Sequence, residues 1–171
     1  MTQLETFAAE CRTIFQGPGP LEDKLDRMAA GLGRLAQDVD FVTATFDAQS
    51  PDKRVIHMDP DTGIHILAHV FRPGVGGNPH SHAPSWAIYA NVRGSTHMRE
   101  YRKTDMDGGS GSELKIVKRY TMNPGDSRAY PSSAIHSPHH EETAWVVRIT
   151  GGDLDGMDRW RFKKGRDRII E

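Results

Sequence analysis

The chain has 171 residues, a length typical of a single domain. Its 22 Lys and Arg against 23 Asp and Glu give a formal charge of −1, which argues against nucleic acid or an anionic membrane as the main partner. The chain has one cysteine (Cys11), no apolar run near the ~18 residues of a membrane span and a start without signal-peptide features, so we expect a cytoplasmic protein.

The first 45 residues predict two helices. Thr2 and Glu5 form a capping-box pattern, and apolar residues then recur at helical spacing as far as Phe15. After the Gly-Pro pairs at 17–20, a second apolar stripe steps by four and three residues from Leu21 to Val39. This region shows no chemistry, so we interpret residues 1–45 as a helical cap.

The rest of the chain, residues 46–171, predicts one β domain. Runs rich in β-branched and aromatic residues are separated by Gly-containing turns, and they cover 63–71, 86–92, 96–101, 114–122, 127–130 and 143–150. Short strands at this spacing, without helices between them, indicate an antiparallel sandwich or barrel. The Gly/Ser-rich stretch at 108–112 predicts a mobile hairpin tip.

Histidines mark the candidate site. All nine lie between His57 and His140. His80 and His82 are two apart, so on a strand both imidazoles would project from one face and could bind one divalent metal ion. A third ligand would come from a neighbouring strand, and His136 is the candidate.

These residues resemble the two motifs of the cupin family. The stretch 74–94 has a Gly, five residues, His-x-His, and a final Gly, and the stretch 123–140 has Pro-Gly-Asp followed by Pro131 and by His136 five residues later. The resemblance implies a mainly β cupin jelly roll with two N-terminal α-helices packed on its outside. Cupins frequently form dimers, so it also allows a homodimer.

Within the cupins, the chain most resembles the thiol-dioxygenase branch, which includes cysteine dioxygenase and mercaptopropionate dioxygenase. The first cupin motif usually has a Glu after four further residues from His-x-His. In the thiol-dioxygenase branch this Glu is absent and three histidines hold the metal; here Ala87 stands at the Glu position. The resemblance therefore implies His80, His82 and His136 as ligands of Fe(II), in a dioxygenase that uses O2 and a small anionic substrate, including a thiol. It aligns Arg54 with an arginine that binds the substrate carboxylate.

Other interpretations stay open at this stage. Three histidines also hold Zn, Ni or Mn, which would suit a non-oxidative isomerase, decarboxylase or hydrolase, and a third alternative is a ligand-binding cupin without turnover. By the period of two, His69 shares a strand face with Phe71 and would border the metal pocket if that face is internal. A packed core histidine is the alternative for His69.

The chain also departs from the thiol-dioxygenase pattern. The branch's Ser-x-His-x-Tyr relay would fall on Val146, Arg148 and Thr150, and none of the three matches. If that strand face is internal, the Arg148 guanidinium needs a compensating anion, so we expect an anionic substrate and inefficient turnover of L-cysteine. The alternative places Arg148 in solvent or pairs it with Glu141 or Glu142.

Overall fold

The computed structural model describes residues 1–105 and 111–170. Helix α1 (Gln3–Gln16) begins at the expected capping box, in which Thr2 Oγ1 accepts from the Glu5 amide (3.2 Å) and the Glu5 carboxylate accepts from the Thr2 amide (2.7 Å). Helix α2 (Leu21–Leu35) is shorter than the apolar stripe suggested. Among the described residues, no helix is long and apolar enough to cross a membrane.

A third helix corrects the expectation of two. The side chain of Asp38 accepts a hydrogen bond from the Phe41 amide (2.8 Å) and thereby starts α3 (Val39–Thr45). Val39 looked like the end of the α2 stripe, but it is 75% exposed at the start of the new helix. The N-cap at Asp38 therefore starts a separate helix where the apolar stripe had suggested that α2 continues.

The described residues after α3 contain nine strands: β1 (Lys53–Met58), β2 (His65–Phe71), β3 (Ala87–Arg93), β4 (Thr96–Asp105), β5 (Ser112–Met122), β6 (Ser127–Tyr130), β7 (Ile135–His139), β8 (Ala144–Thr150) and β9 (Arg168–Ile170). The apolar runs had not indicated β1, β7 or β9. Most of the predicted hairpin tip at 108–112 lies outside the described residues.

The strands form two sheets with the strand order of a jelly roll. One sheet has the order β1-β2-β8-β3-β6 and the other β7-β4-β5-β9. The segment 76–80 joins the β7 edge through antiparallel bridges from Gly76 to His139 and from His80 to His136. When the outer strands β1 and β9 are left out and the segment 76–80 is counted beside β7, the strand orders of the two sheets are those of a double Greek key. The mainly β jelly-roll fold is therefore confirmed.

The helices cover the outer face of the first sheet. Met28 and Leu32 of α2 are fully buried in the same apolar cluster as Ile88 of β3 and Ile149 of β8. A Cβ atom on Gly33 would lie 3.0 Å from the Gly125 carbonyl oxygen, so the glycine allows α2 to approach the turn before β6. This packing leaves the inner face of the first sheet free to form a cavity with the second.

Candidate metal centre

Two backbone elements bring the three predicted ligands together. His80 and His136 form an antiparallel bridge with reciprocal backbone hydrogen bonds of 3.1 Å, which fixes the 76–82 segment against β7. His82 follows in an irregular stretch rather than in a regular strand, where the adjacent Ser81 amide donates to the Trp160 carbonyl (3.1 Å).

The imidazoles are close enough to share one ion. One nitrogen from each of the three rings lies within 4.8 Å of the others, and Nε2 of His82 lies 3.2 Å from Nε2 of His136. Two ligands at about 2.0–2.1 Å from one ion would be separated by about 3.0–3.4 Å at ordinary coordination angles. His80 Nδ1 lies 2.8 Å from the Asn78 carbonyl oxygen, so a bond there leaves its Nε2 for a metal.

Burial keeps these three rings neutral, which is the form that binds metal. His82 and His136 are fully buried. Burial, with the nearby His80, lowers the pKa of His82 to about 2 and holds the pKa of His136 well below its ordinary value. Burial also lowers the pKa of His80, although the contact with the Asn78 carbonyl opposes the shift.

Two tyrosines pack against the ligand rings. The Tyr130 ring lies 4.2 Å from that of His136, measured between centroids, and holds one side of the imidazole. The Tyr89 hydroxyl lies 3.3 Å from His82 Nε2, which is the nitrogen that faces His136. A phenol therefore stands next to the position that a bound ion would occupy.

A cavity of about 240 Å³ opens beside the histidines, and its wall includes His80 and His136. Apolar side chains such as Phe71, Met98 and Val146 form much of its surface. Among the described residues that line it there is no Asp or Glu, whereas two arginines, Arg148 and Arg159, face it. The described lining of the cavity therefore carries positive charge and no negative charge.

His69 lies in the wall of this cavity, which is one of the two positions that the sequence left open for it. It is 5% exposed, its ring stacks 5.4 Å from that of Phe71, and its Nε2 has no hydrogen-bond partner within the described part of the chain. Burial and then the positive charge of Arg148 lower the pKa of His69 to about 3. A neutral His69 can therefore offer one nitrogen to a bound ligand.

Arg148 also faces inward. It is paired across the sheet with Leu67 and Tyr89, and its buried Nε lacks a partner among the described residues. The acidic side chains proposed as alternative partners contact other residues, since Glu141 lies near His97 and Glu142 near Ser95. The structure therefore places Arg148 in the internal position, where its guanidinium requires a compensating anion.

The structure does not bring Arg54 to the cavity, which corrects that expectation. Arg54 pairs across β1 and β2 with Ala68, on the outer face, and its guanidinium donates to the Thr45 carbonyl oxygen (2.6 Å). The adjacent Lys53 pairs with His69 on the inner face and forms an ion pair with Asp155.

Sequence reasoning missed two lining residues. Arg159 reaches the cavity because the 158–162 segment runs beside the ligand segment, where the Phe162 amide donates to the Pro79 carbonyl (2.8 Å). Alternation of basic and aromatic residues from Arg159 to Phe162 was the available signal. His140, four residues after the ligand His136, also lines the cavity; it is 1% exposed and its ring stacks 4.3 Å from that of Phe71.

No protein-family model matches the chain, and the comparison with curated proteins found no match. Solved structures resemble it at low identity. A conserved protein from Klebsiella pneumoniae with a double-stranded β-helix domain matches with a TM-score of 0.48 and 11% identity, over 72% of this chain and 89% of that one. KdgF from Halomonas sp. matches with a TM-score of 0.45 and 16% identity, over 65% of this chain and 91% of that one. A cupin-2 domain protein from Shewanella frigidimarina matches with a TM-score of 0.45 and 14% identity, over 69% of this chain and 96% of that one. Similarity this low carries no information about activity.

Proposed function

We propose that this chain is a metal-dependent enzyme, a mononuclear non-haem iron dioxygenase that acts on a small anionic substrate. One observation carries the proposal. Three neutral imidazoles converge at the wall of a cavity that has no carboxylate among its described lining residues and that two arginines face.

His80, His82 and His136 are the residues that would hold the ion. Their donor set fits a divalent transition metal, because imidazole nitrogen suits Fe, Zn, Ni and Cu, whereas Mg and Ca prefer oxygen ligands. Fe(II), when bound, would supply redox chemistry with O2. Because all three ligands are neutral, they leave the positive charge of the ion uncompensated.

The charge and size of the cavity support a small anion as substrate. Arg148 and Arg159 add two guanidinium charges, and the nearby Asp155 is already paired with Lys53. The volume of about 240 Å³ is below the roughly 300–1,000 Å³ of drug-sized ligand sites. A carboxylate of a few carbons fits these limits, and a thiol in the same molecule agrees with the resemblance of the sequence motifs.

Residues around the ion position have distinct roles in this proposal. The apolar wall excludes water and strengthens the charge interactions inside the cavity. Neutral His69 donates one hydrogen bond to the substrate or accepts one from it. The Tyr89 hydroxyl, 3.3 Å from His82 Nε2, can hydrogen-bond a group held at the ion position.

Tyr89 also favours a second candidate, a non-oxidative enzyme. A phenol beside a metal position can donate a proton to a reacting group, as an isomerase, decarboxylase or hydrolase would need. The two candidates share the metal centre and differ in whether they consume O2.

Oxygen uptake distinguishes the candidates. Protein made without a metal-binding tag is stripped of metal, reloaded with Fe(II), Zn(II) or Mn(II), and supplied with mercaptopropionate, L-cysteine and a panel of small carboxylates. Uptake that requires Fe(II) and a member of the panel supports the dioxygenase. Product formation without O2 supports the second candidate, and binding without any product under all conditions contradicts both.

A further inference from the structure

A second concave surface lies outside the cavity and has a positive character of its own. This surface, here called the basic groove, has a volume of about 470 Å³ and is formed by residues 157–166. Its lining contains the cations Arg159, Arg161, Lys163 and Arg166 and a single carboxylate, Asp158. Lys103 adds a further cation at its edge, 5.2 Å from the ring centroid of Trp160.

The charge of the basic groove is local. The whole chain has a formal charge of −1, so a positive groove does not follow from a general excess of cations. Asp167 compensates Arg166 through an ion pair of 3.1 Å, whereas Arg161 and Lys163 are exposed and have no ion pair among the described residues. The pKa of Arg159 is lowered mainly by its burial, and the positive charge of the nearby Arg161 lowers it further.

Arg159 connects the groove to the cavity, because its side chain lines both. The backbone supports the same path, since Arg161 bridges to His80 in antiparallel pairing. His80 is the only one of the three histidines that is not fully buried. Positive charge therefore continues from the surface at Lys163, past Arg159, to Arg148 inside.

We propose that the basic groove collects small anions from solvent and delivers them past Arg159 into the histidine-lined cavity. The destination rests on the proposed metal centre, whereas the collection of anions does not. Rows of like charge at a concave surface raise the local concentration of counter-ions and the rate of association, and salt screens this effect. Small anions fit because the cavity behind Arg159 admits only small molecules.

The first experiment uses metal-free protein and the fluorescence of Trp160, which lies in the groove wall. Iodide and neutral acrylamide quench it in wild type, in R161Q/K163Q and in the control R27Q/R34Q, which removes the same charge from α2; W160F gives the background from the other tryptophans. At low salt, we expect R161Q/K163Q to lower iodide quenching about three-fold relative to acrylamide, and the control to leave it unchanged. An unchanged ratio in R161Q/K163Q overturns the proposal.

The second experiment tests the destination. Azide binding to the Co(II)-loaded protein is followed by stopped-flow absorbance in the same variants. We expect R161Q/K163Q to slow association about three- to ten-fold at low salt, with the difference lost near 1 M salt, where the screening length is about 3 Å. Equal association rates in loaded wild type and variant overturn delivery through the groove. Failure of wild type to bind Co(II) contradicts the proposed metal centre instead, and the iodide experiment still decides whether the groove collects anions.

Discussion

Nε2 of His82 and Nε2 of His136 lie 3.2 Å apart although the residues are 54 positions apart in the chain. The bridge between His80 and His136 sets this distance, because it fixes the ligand segment against β7. Two neutral imidazoles can share at most one hydrogen at such a contact, whereas one metal ion satisfies both nitrogens. The arrangement therefore predicts a metal requirement that can be measured directly.

We expect wild-type protein to bind about one divalent ion per chain and His136→Ala to lose it, because two remaining imidazoles hold an ion weakly. Elemental analysis of tag-free protein is the measurement. His139→Ala is the matched control, since His139 lies on the same strand but is exposed. Metal retained by His136→Ala would falsify the assignment of the ligand set.

The contrast between Lys53 and Arg54 shows where sequence reasoning reached its limit. The motif spacing identified the three histidines. The period of two assigned His69 and Arg148 each to one strand face, but the sequence left open whether those faces are internal; the structure places both residues at the cavity. The resemblance aligned Arg54 with a substrate-binding arginine but could not fix the register of that strand. A shift of one residue along a strand reverses the face of every side chain, and Arg54 lies on the outer face. In the structure Lys53, not Arg54, stands opposite His69.

Arg159 was missed for a different physical reason. Its segment is held by backbone hydrogen bonds to residues 79–81, about 80 positions earlier in the chain, and by a turn anchored at Asp167. The alternation of basic and aromatic residues from Arg159 to Phe162 indicates an extended segment, but it does not indicate which strand that segment pairs with. Helix α3 likewise depended on one side-chain cap at Asp38, which competed with a continuous apolar stripe.

Acid should destabilise the metal-free protein partly through His69. Its pKa is about 3 when folded and 6.5 when free, so the unfolded chain binds the proton first and stability falls as pH drops below about 6.5 toward 3. Between pH 7 and pH 5 this one group should cost about 2 kcal/mol. In urea unfolding, the free energy of unfolding of His69→Leu should therefore fall by about 2 kcal/mol less than that of wild type when the pH is lowered from 7 to 5. Between pH 7 and pH 9 the difference between the two proteins should stay constant; a parallel loss in both at pH 5 would contradict the prediction.

Asp167 should control the order of the segment that carries Arg159. Its carboxylate accepts from the amides of Ser112 (2.9 Å) and Lys163 (2.7 Å) and pairs with Arg166. Burial would raise its pKa, but the hydrogen bonds from Arg166 and the two amides outweigh burial and lower the pKa to about 2. Asp167→Asn removes the charge and one acceptor, at a cost of about 1–3 kcal/mol.

Limited proteolysis with mass spectrometry measures this effect. We expect Asp167→Asn to speed cleavage within residues 150–166 several-fold while the strands of the first sheet stay resistant. Asp158→Asn is the matched control, because Asp158 is exposed in the same segment. Equal cleavage rates in Asp167→Asn and wild type would show that the anchor is not needed.

Arg148 should determine the substrate class. Its Nε is buried without a partner among the described residues, in the cavity that holds the histidines, where a guanidinium needs an anion. We expect weak turnover of L-cysteine, because the chain has Arg148 and Thr150 where the thiol-dioxygenase pattern has a relay histidine and tyrosine. On the best anionic substrate of the panel, Arg148→Met should raise KM by about ten-fold or more, the loss expected when a charge-assisted hydrogen bond of about 1.5–3 kcal/mol is removed. Arg72→Met is the control, since Arg72 lies near Asp52 at the surface. Robust turnover of L-cysteine, or an unchanged KM in Arg148→Met, would contradict this assignment of Arg148.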